Sequence, residues 1–356
     1  MISVQQLLQT HAALYPKMQP SDAVKLLYQR VFGGGHLILS EQDAAAYIKQ
    51  EAAAVQSCGE HRTELLGETA RVYLDSSYSE RELELLARVF CISAERFCSG
   101  WESADGAVRE EWETALAVLR REAEENRFAF SSEDLEEYLA AYREQGYPAV
   151  RHSEVYREAY APAYRVIDSR FVRLLPVLNR IAENLRVQKR VIVSIDGRCA
   201  SGKSTAAQMI ARIFDAEIIH MDDFFLPGPM RTPQRMQEVG GNLHRERFME
   251  EVLPYLRAGA FSYRVFQCST FTYAEEPRTI GEAPLILCEG SYALHPEFGD
   301  YCDIAVFSDV PPDEQLERIR LRDGEYMLSR FQKEWIPMEE RYFTERNIRA
   351  RCDFIV

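Results

Sequence analysis

Eight residues from Gly197 to Ser204 read GRCASGKS: a glycine, four residues, then Gly-Lys-Ser. Each position in that spacing has a physical role. The two glycines, Gly197 and Gly202, let the backbone curl until the amide N–H groups of Arg198, Cys199, Ala200 and Ser201 converge on one centre, a cradle for phosphate oxygens. Lys203 supplies a cation to bridge β- and γ-phosphates. Ser204 offers a hydroxyl to magnesium, and Thr205 follows in the first helical turn. The flanks agree with this reading, since the apolar run VIVSID (191–196) predicts a strand before the loop and TAAQMIARIF predicts a helix after it. The positive end of that helix then adds to the cradle. A chance glycine turn would lack this strand-and-helix frame.

Phosphate binding does not choose between a kinase, an ATPase and a molecular switch, so the later carboxylates carry more of the functional reading. A second apolar run ends in His220, Met221, Asp222, Asp223, which puts acidic groups at the carboxyl edge where open α/β sheets bind ligands. Either aspartate could take the proton of an attacking hydroxyl. A solvated strand end is the plain alternative. The run LILCE delivers Glu289 to the same edge, a position for a magnesium-associated carboxylate. Pro311 and Pro312 open a helix in which Arg318 and Arg322 fall four apart on one face, placed to neutralise charge on a transferring phosphoryl group. Pairing with Glu314 or Asp323 is the plain reading of those arginines. Gly324 and the polar stretch to Arg330 offer a hinge for a closing lid.

The elements that must position these residues fall into two sets. From Lys189 onward, apolar runs at 191–196, 216–221, 284–289, 303–309 and the terminal DFIV alternate with helical stretches, which predicts a parallel sheet covered on both faces. Before it the chain reads as helical throughout. Ser21 is placed to cap a helix carrying Val24, Leu27, Tyr28 and Val31 on one face and stopped by Gly33. Ser131 and Asp134 make a capping box for a helix with Leu135, Tyr138, Leu139 and Tyr142 as its buried stripe. A third helical repeat runs from Arg170 to Leu185, with Pro176 kinking or restarting it. The resulting division is a mainly α-helical domain at 1–168, a helical linker at 169–187 and an α/β domain of the P-loop NTPase type at 188–356.

Length agrees with two domains, since 356 residues with 46% hydrophobic content exceed one core. A formal net charge of -14 argues against a nucleic-acid partner, so any phosphate site must be local. No apolar stretch is long enough to span a membrane, and the first residues lack a secretory pattern. Eight irregularly spaced cysteines without a CxxC pair predict reduced thiols in the cytoplasm. A zinc set of Cys91, Cys98, His36 and His152 can be drawn, but none of its spacings is a metal signature. The run FGGGH, Phe32 to His36, reads as a helix stop or as an anion-holding nest. The tyrosine-rich stretch from Arg151 to Val166 could line a second site, although tyrosines at such spacings usually pack helices.

Five motifs in order, GRCASGKS, MDDFFLP, LCEGSYAL, ERIRLRD and the closing WIPMEERYF to RCDFIV, resemble the uridine kinase and phosphoribulokinase branch of the P-loop kinases over residues 189 to 356. The resemblance implies ATP and Mg2+ as cofactors and transfer of the γ-phosphate to a small-molecule hydroxyl. It carries the catalytic base onto Asp222 with Asp223 as the alternate, the magnesium role onto Glu289, and phosphate contacts onto Arg318 and Arg322. Two departures bear on the acceptor. Where uridine kinases carry an Asp-His-Pro segment this chain has GNLHRERF, and YRVFQCSTFTY replaces the Tyr-Asp segment with its histidine. A buried polar group that matches a nucleoside cannot simply be dropped, so the acceptor need not be uridine. Asp223, His244, Arg247, Arg264 and Tyr273 are the candidate acceptor contacts, and two arginines facing the cleft would suit a phosphorylated or carboxylated molecule. A nucleotide-gated sensor ATPase with the helical half as output is the competing reading. That half could also be an enzyme acting on the product, or a surface for homo-oligomer formation.

Overall fold

The alternation of apolar runs and helical stretches is realised as two units, Met1–Arg173 and Leu174–Val356. The computed structural model describes residues 2–35, 40–57, 59, 61–97 and 100–356. His36 and Cys98, on which the glycine-nest and zinc readings depend, lie outside them.

The first unit contains helices α1 (Val4–Leu14), α2 (Pro20–Phe32) and α3 (Glu41–Ala54), strands β1 (Thr63–Leu65) and β2 (Thr69–Tyr73), helices α4 (Glu80–Arg96), α5 (Gly106–Glu124), α6 (Ser132–Glu144) and α7 (Glu154–Tyr160), and strand β3 (Tyr164–Asp168). Its core gathers around Trp112 of α5, whose ring centroid lies 5.3 Å from that of Phe32 and 6.1 Å from that of Tyr28. Ser131 and Asp134 form the expected capping box of α6. Helix α2 begins earlier than Ser21 implies: Gln19 precedes it, and the Asp22 carboxylate accepts the Gln19 N–H at 3.0 Å. Proline at the first helical position explains the shift, because its missing N–H is one the helix start leaves unpaired anyway. The expectation of an all-helical first half is corrected by an antiparallel sheet in the order β1-β2-β3, with Tyr73 opposite Tyr164.

The second unit opens with α8 (Leu175–Asn184), restarted at Pro176 after a short 3-10 turn at Ser169–Phe171. Then follow β4 (Val191–Gly197), α9 (Lys203–Ile213), β5 (Ala216–His220), α10 (Pro233–Met236), α11 (Arg245–Glu251), the short strands β6 (Phe261–Tyr263), β7 (Phe266–Gln267), β8 (Thr272–Tyr273) and β9 (Arg278–Ile280), β10 (Leu285–Glu289), β11 (Ile304–Ser308), α12 (Pro312–Arg330), α13 (Ile336–Glu345) and β12 (Phe354–Ile355). Five strands form one parallel sheet in the order β12-β11-β4-β10-β5. Every residue of central β4 is buried, which is why its run is apolar without alternation. Helix α9 packs on β4, β5 and β10, and α8 on β11. The chain leaves β4 for β5 and returns to fill the gap with β10, so the order reverses beside β4 and opens a crevice at the carboxyl ends. Between α11 and β10 lie two antiparallel ribbons, β6 with β9 and β7 with β8, the second within the stretch YRVFQCSTFTY. No helix among the described residues is long and apolar enough to cross a membrane.

Candidate active site at the carboxyl edge of the parallel sheet

The loop from Gly197 to Gly202 leaves β4 with three left-handed residues, Gly197 (φ 136), Ala200 (φ 57) and Gly202 (φ 99). A Cβ at Gly197 would sit 2.0 Å from the Ser308 carbonyl oxygen of the neighbouring strand, so no other residue fits there. The outer side of the loop is clamped. Glu339 of α13 accepts the Cys199 N–H at 2.9 Å and the Ser291 hydroxyl at 2.5 Å, while Gln315 of α12 donates to the Cys199 carbonyl at 3.0 Å. Arg198 is committed to Asp309 and Glu340. Behind the loop, fully buried Asp196 accepts from the N–H groups of Tyr292 (3.1 Å) and Leu294 (2.9 Å) and from the Tyr342 hydroxyl (2.8 Å). Burial lifts its carboxyl to about 6 against those bonds. Asp196 thereby ties the loop's root to the turn after β10.

Inside the loop, Lys203 folds back so that Nζ donates to the carbonyls of Gly197 (2.8 Å) and Arg198 (2.7 Å). The Ser201 hydroxyl is buried and has no partner among the described residues. Both observations fit a bound polyphosphate, whose oxygens would occupy the lysine in place of those carbonyls and satisfy the orphaned hydroxyl. Glu289, at the end of β10, accepts from the Ser204 hydroxyl at 3.0 Å and from His220 Nδ1 at 2.5 Å, all on one oxygen. The bond to Glu289 raises the His220 pKa. Among the described residues no three His, Cys, Asp or Glu side chains converge on a metal-sized site. One hydroxyl and one carboxylate suit magnesium, which keeps several waters and takes its other oxygens from phosphate.

The two aspartates after β5 differ. The Asp223 carboxylate accepts the Tyr263 hydroxyl at 2.8 Å, whereas that of Asp222 has no hydrogen bond among the described residues. Asp222 is open to solvent yet hemmed in by protein as a group on a cleft wall is. Burial first, then the Glu289 charge, raises its pKa, with Lys203 opposing. Burial likewise raises Asp223, with Tyr263 opposing. Helix α12 brings Arg318 Nη1 to the Ala200 carbonyl at 3.0 Å, and Glu314 holds its other nitrogen at 2.5 Å. Arg322 pairs with Asp323 at 2.8 Å and also feels the charge of Asp222. Gly324 (φ 80, ψ 171) breaks the helix immediately beyond them.

The candidate acceptor contacts are already engaged. Arg247, 2% exposed, donates to both oxygens of Glu251 and lies over the rings of Phe224 and Tyr273. Arg264 shares Glu251 and stacks 5.3 Å from the Tyr273 centroid. His244 donates its N–H to the Phe224 carbonyl, and its ring lies 3.2 Å from Glu246. Arg278 is the cation that sequence reasoning passed over. It stands opposite Tyr263 in the β6 and β9 pairing, on the same face as the ring that reaches Asp223, and its charge acts on Asp223 and His220. Among the described residues it has no hydrogen-bond or ion-pair partner. Only its pairing register marks it, and that is invisible in isolated two- and three-residue strands.

No family model and no curated protein matches the chain. Among solved structures, one described as a possible uridine kinase from Bacillus stearothermophilus is 19% identical, with a TM-score of 0.38, over 51% of this chain and 98% of the other. A provisionally assigned fructose transport system kinase from Silicibacter sp. TM1040 is 20% identical, with a TM-score of 0.41, over 47% and 93%. Likenesses this distant do not speak to chemistry, which rests on the residues themselves.

Proposed function

We propose that the second unit is an ATP-dependent phosphotransferase that moves the γ-phosphate to a hydroxyl of a small molecule. The observation that carries the reading is the unbonded carboxylate of Asp222, held with a raised pKa at the sheet edge that also presents Lys203 and the Ser204 and Glu289 pair. A group of that kind can take a proton, and the loop beside it is shaped for polyphosphate. Asp222 is the base and Asp223, tethered by Tyr263, positions it. Lys203 holds the donor phosphates. Ser204 and Glu289 would hold magnesium, which when bound supplies charge neutralisation to the phosphates. Arg318 and Arg322 stand where charge spreads over the transferred group, each needing only to exchange a surface carboxylate for phosphate oxygens. On the acceptor side, half-buried and unpaired Arg278 supports a molecule bearing an anionic group rather than a neutral nucleoside.

The experiment is to incubate the full chain with magnesium and ATP and with pooled metabolites separated by charge, following ADP release and new phosphorylated masses. Turnover that depends on an added hydroxyl compound is the expected result. Hydrolysis at one rate whatever pool is supplied would overturn the assignment.

A further inference from the structure

A second set of reactive side chains lies wholly within the unit Met1–Arg173, and phosphotransfer uses none of it. Arg71 of β2 is 1% exposed and donates to Gln29 Oε1 at 2.7 and 3.0 Å. Gln29 Nε2 donates to the Tyr164 hydroxyl (3.2 Å), which lies 2.6 Å from His152 Nε2, and His152 Nδ1 lies 2.8 Å from Asp22. Glu64 accepts from the Tyr73 hydroxyl at 2.7 Å and from Arg71 at 3.3 Å, with His11 Nε2 2.8 Å away. Burial holds the His152 pKa near 4, so the ring is neutral at pH 7 and the hydroxyl of Tyr164 can donate to it.

This network fixes several aromatic rings from behind. The Arg71 guanidinium sits 4.4 Å from the Tyr164 centroid, and His152 stacks on Tyr156 at 4.3 Å and 2°. The rings of Tyr156 and Tyr164 line a cavity of about 240 Å³ together with Tyr15, Tyr73 and the segment from Ala161 to Ala163. Ala161 turns the chain from α7 toward β3 in a left-handed conformation (φ 40, ψ 56) that costs a non-glycine residue ~1–2 kcal/mol. A strained turn in the wall of a cavity, with buried polar groups fixing the wall's rings from behind, is the pattern of a prepared binding site.

The charge available there is that of Arg62. Its guanidinium is exposed, lies 4.2 Å from the Tyr73 centroid and 3.4 Å from the Tyr15 hydroxyl, and has no carboxylate within ion-pair distance among the described residues. Asp75, the acidic group lining the cavity, is buried and accepts from both the N–H and the hydroxyl of Ser77. Glu64 is occupied by Arg71, Tyr73 and His11. Guanidinium groups already cover the rings of Tyr73 and Tyr164, which disfavours a cationic ligand. We propose that this cavity binds a small planar anion of one ring, an aromatic carboxylate in chemical class, with Arg62 taking the carboxylate and the tyrosine rings holding the plane.

Calorimetric titration of the full chain without nucleotide, using benzoate, benzamide and benzyltrimethylammonium as probes, tests this independently of any kinase activity. Benzoate is expected to saturate one site, to bind about tenfold tighter than benzamide, and to shift the ring resonances of Tyr15, Tyr73 and Tyr164. Arg62→Gln, at an exposed position, should weaken benzoate about tenfold with an unchanged melting curve. The proposal is overturned if benzoate fails to saturate by about 10 mM. Equal binding of benzamide or of the ammonium probe, or undiminished binding by Arg62→Gln, overturns it as well.

Discussion

Replacing Asp222 and Asp223 by asparagine, one at a time, separates chemistry from architecture. The Asp222 carboxylate has no hydrogen bond to lose among the described residues, and burial together with Glu289 already disfavours its ionised form. Asp222→Asn should therefore leave the melting temperature level or slightly higher. ATP affinity should be nearly intact, because Lys203 keeps its place. What it removes is the proton acceptor, so the phosphoryl-transfer rate should fall about 100- to 10,000-fold, or ~3–5 kcal/mol of barrier. Asp223→Asn keeps an oxygen that can accept from Tyr263, and burial raises this carboxyl too, so the melting temperature should change little, with a much smaller loss of rate. Initial rates of ADP release, ATP titrations and thermal melts on the three proteins read all of these quantities. The pH profile adds a sign: a base must be ionised to act, and its raised pKa puts the acid limb of kcat/KM above the ordinary carboxylate value of 3.8, where Asp222→Asn should abolish it. If Asp222→Asn turns over within about threefold of the parent, or if Asp223→Asn is the more damaged catalyst, the assignment of the base is wrong.

Lys203→Ala should weaken productive ATP binding and suppress transfer without unfolding the chain, since among the described residues its side chain bonds only to carbonyls of its own loop; unchanged transfer, by the same ADP assay, would refute the donor site. Gly197→Ala forces a Cβ against the Ser308 carbonyl and should destabilise the second unit by more than about 4 kcal/mol, seen as an early urea transition. A native urea midpoint would show that β11 can yield. Asp196 is raised from 3.8 to about 6, so its contribution is fully present below pH 3.8 and lost as pH rises through 6, at most ~3 kcal/mol by neutrality. Urea midpoints of the parent should fall from pH 4 to pH 7 more steeply than those of Asp196→Asn, and equal slopes would contradict the raised value.

The glycine loop after β4 and the strands of the parallel sheet were legible because their signals are local. A buried central strand writes itself as an unbroken apolar run, and the GxxxxGK[ST] pattern is framed by a strand and a helix directly on either side of its eight residues. The sheet of the first unit was not legible: Tyr73 and Tyr164 pair across about ninety positions, and TARVY and YRVID are too short to outvote the helices around them. Asp196 reads as the last residue of a strand, and only the arrival of Tyr342 from a distant helix reveals what it holds. The same is true of Glu339, which reaches Cys199 from 140 positions away. His220 was visible as a strand end, but its hold on Glu289 follows from a parallel register that places the two side by side. The arginines of α12 follow the plainer of their two readings: Arg318 pairs with Glu314 and Arg322 with Asp323, and Arg318 also donates to the Ala200 carbonyl of the loop.

The clamp on Cys199 has a consequence for how this loop withstands oxidants. Peroxide and alkylating agents attack the thiolate, and here burial first, then the neighbouring Glu339 charge, push the thiol's pKa well above its usual value. A sulfur three positions into a phosphate cradle would otherwise be a natural redox brake on turnover. Held between Gln315 and Glu339, it favours its protonated form, which is the less reactive one toward such reagents.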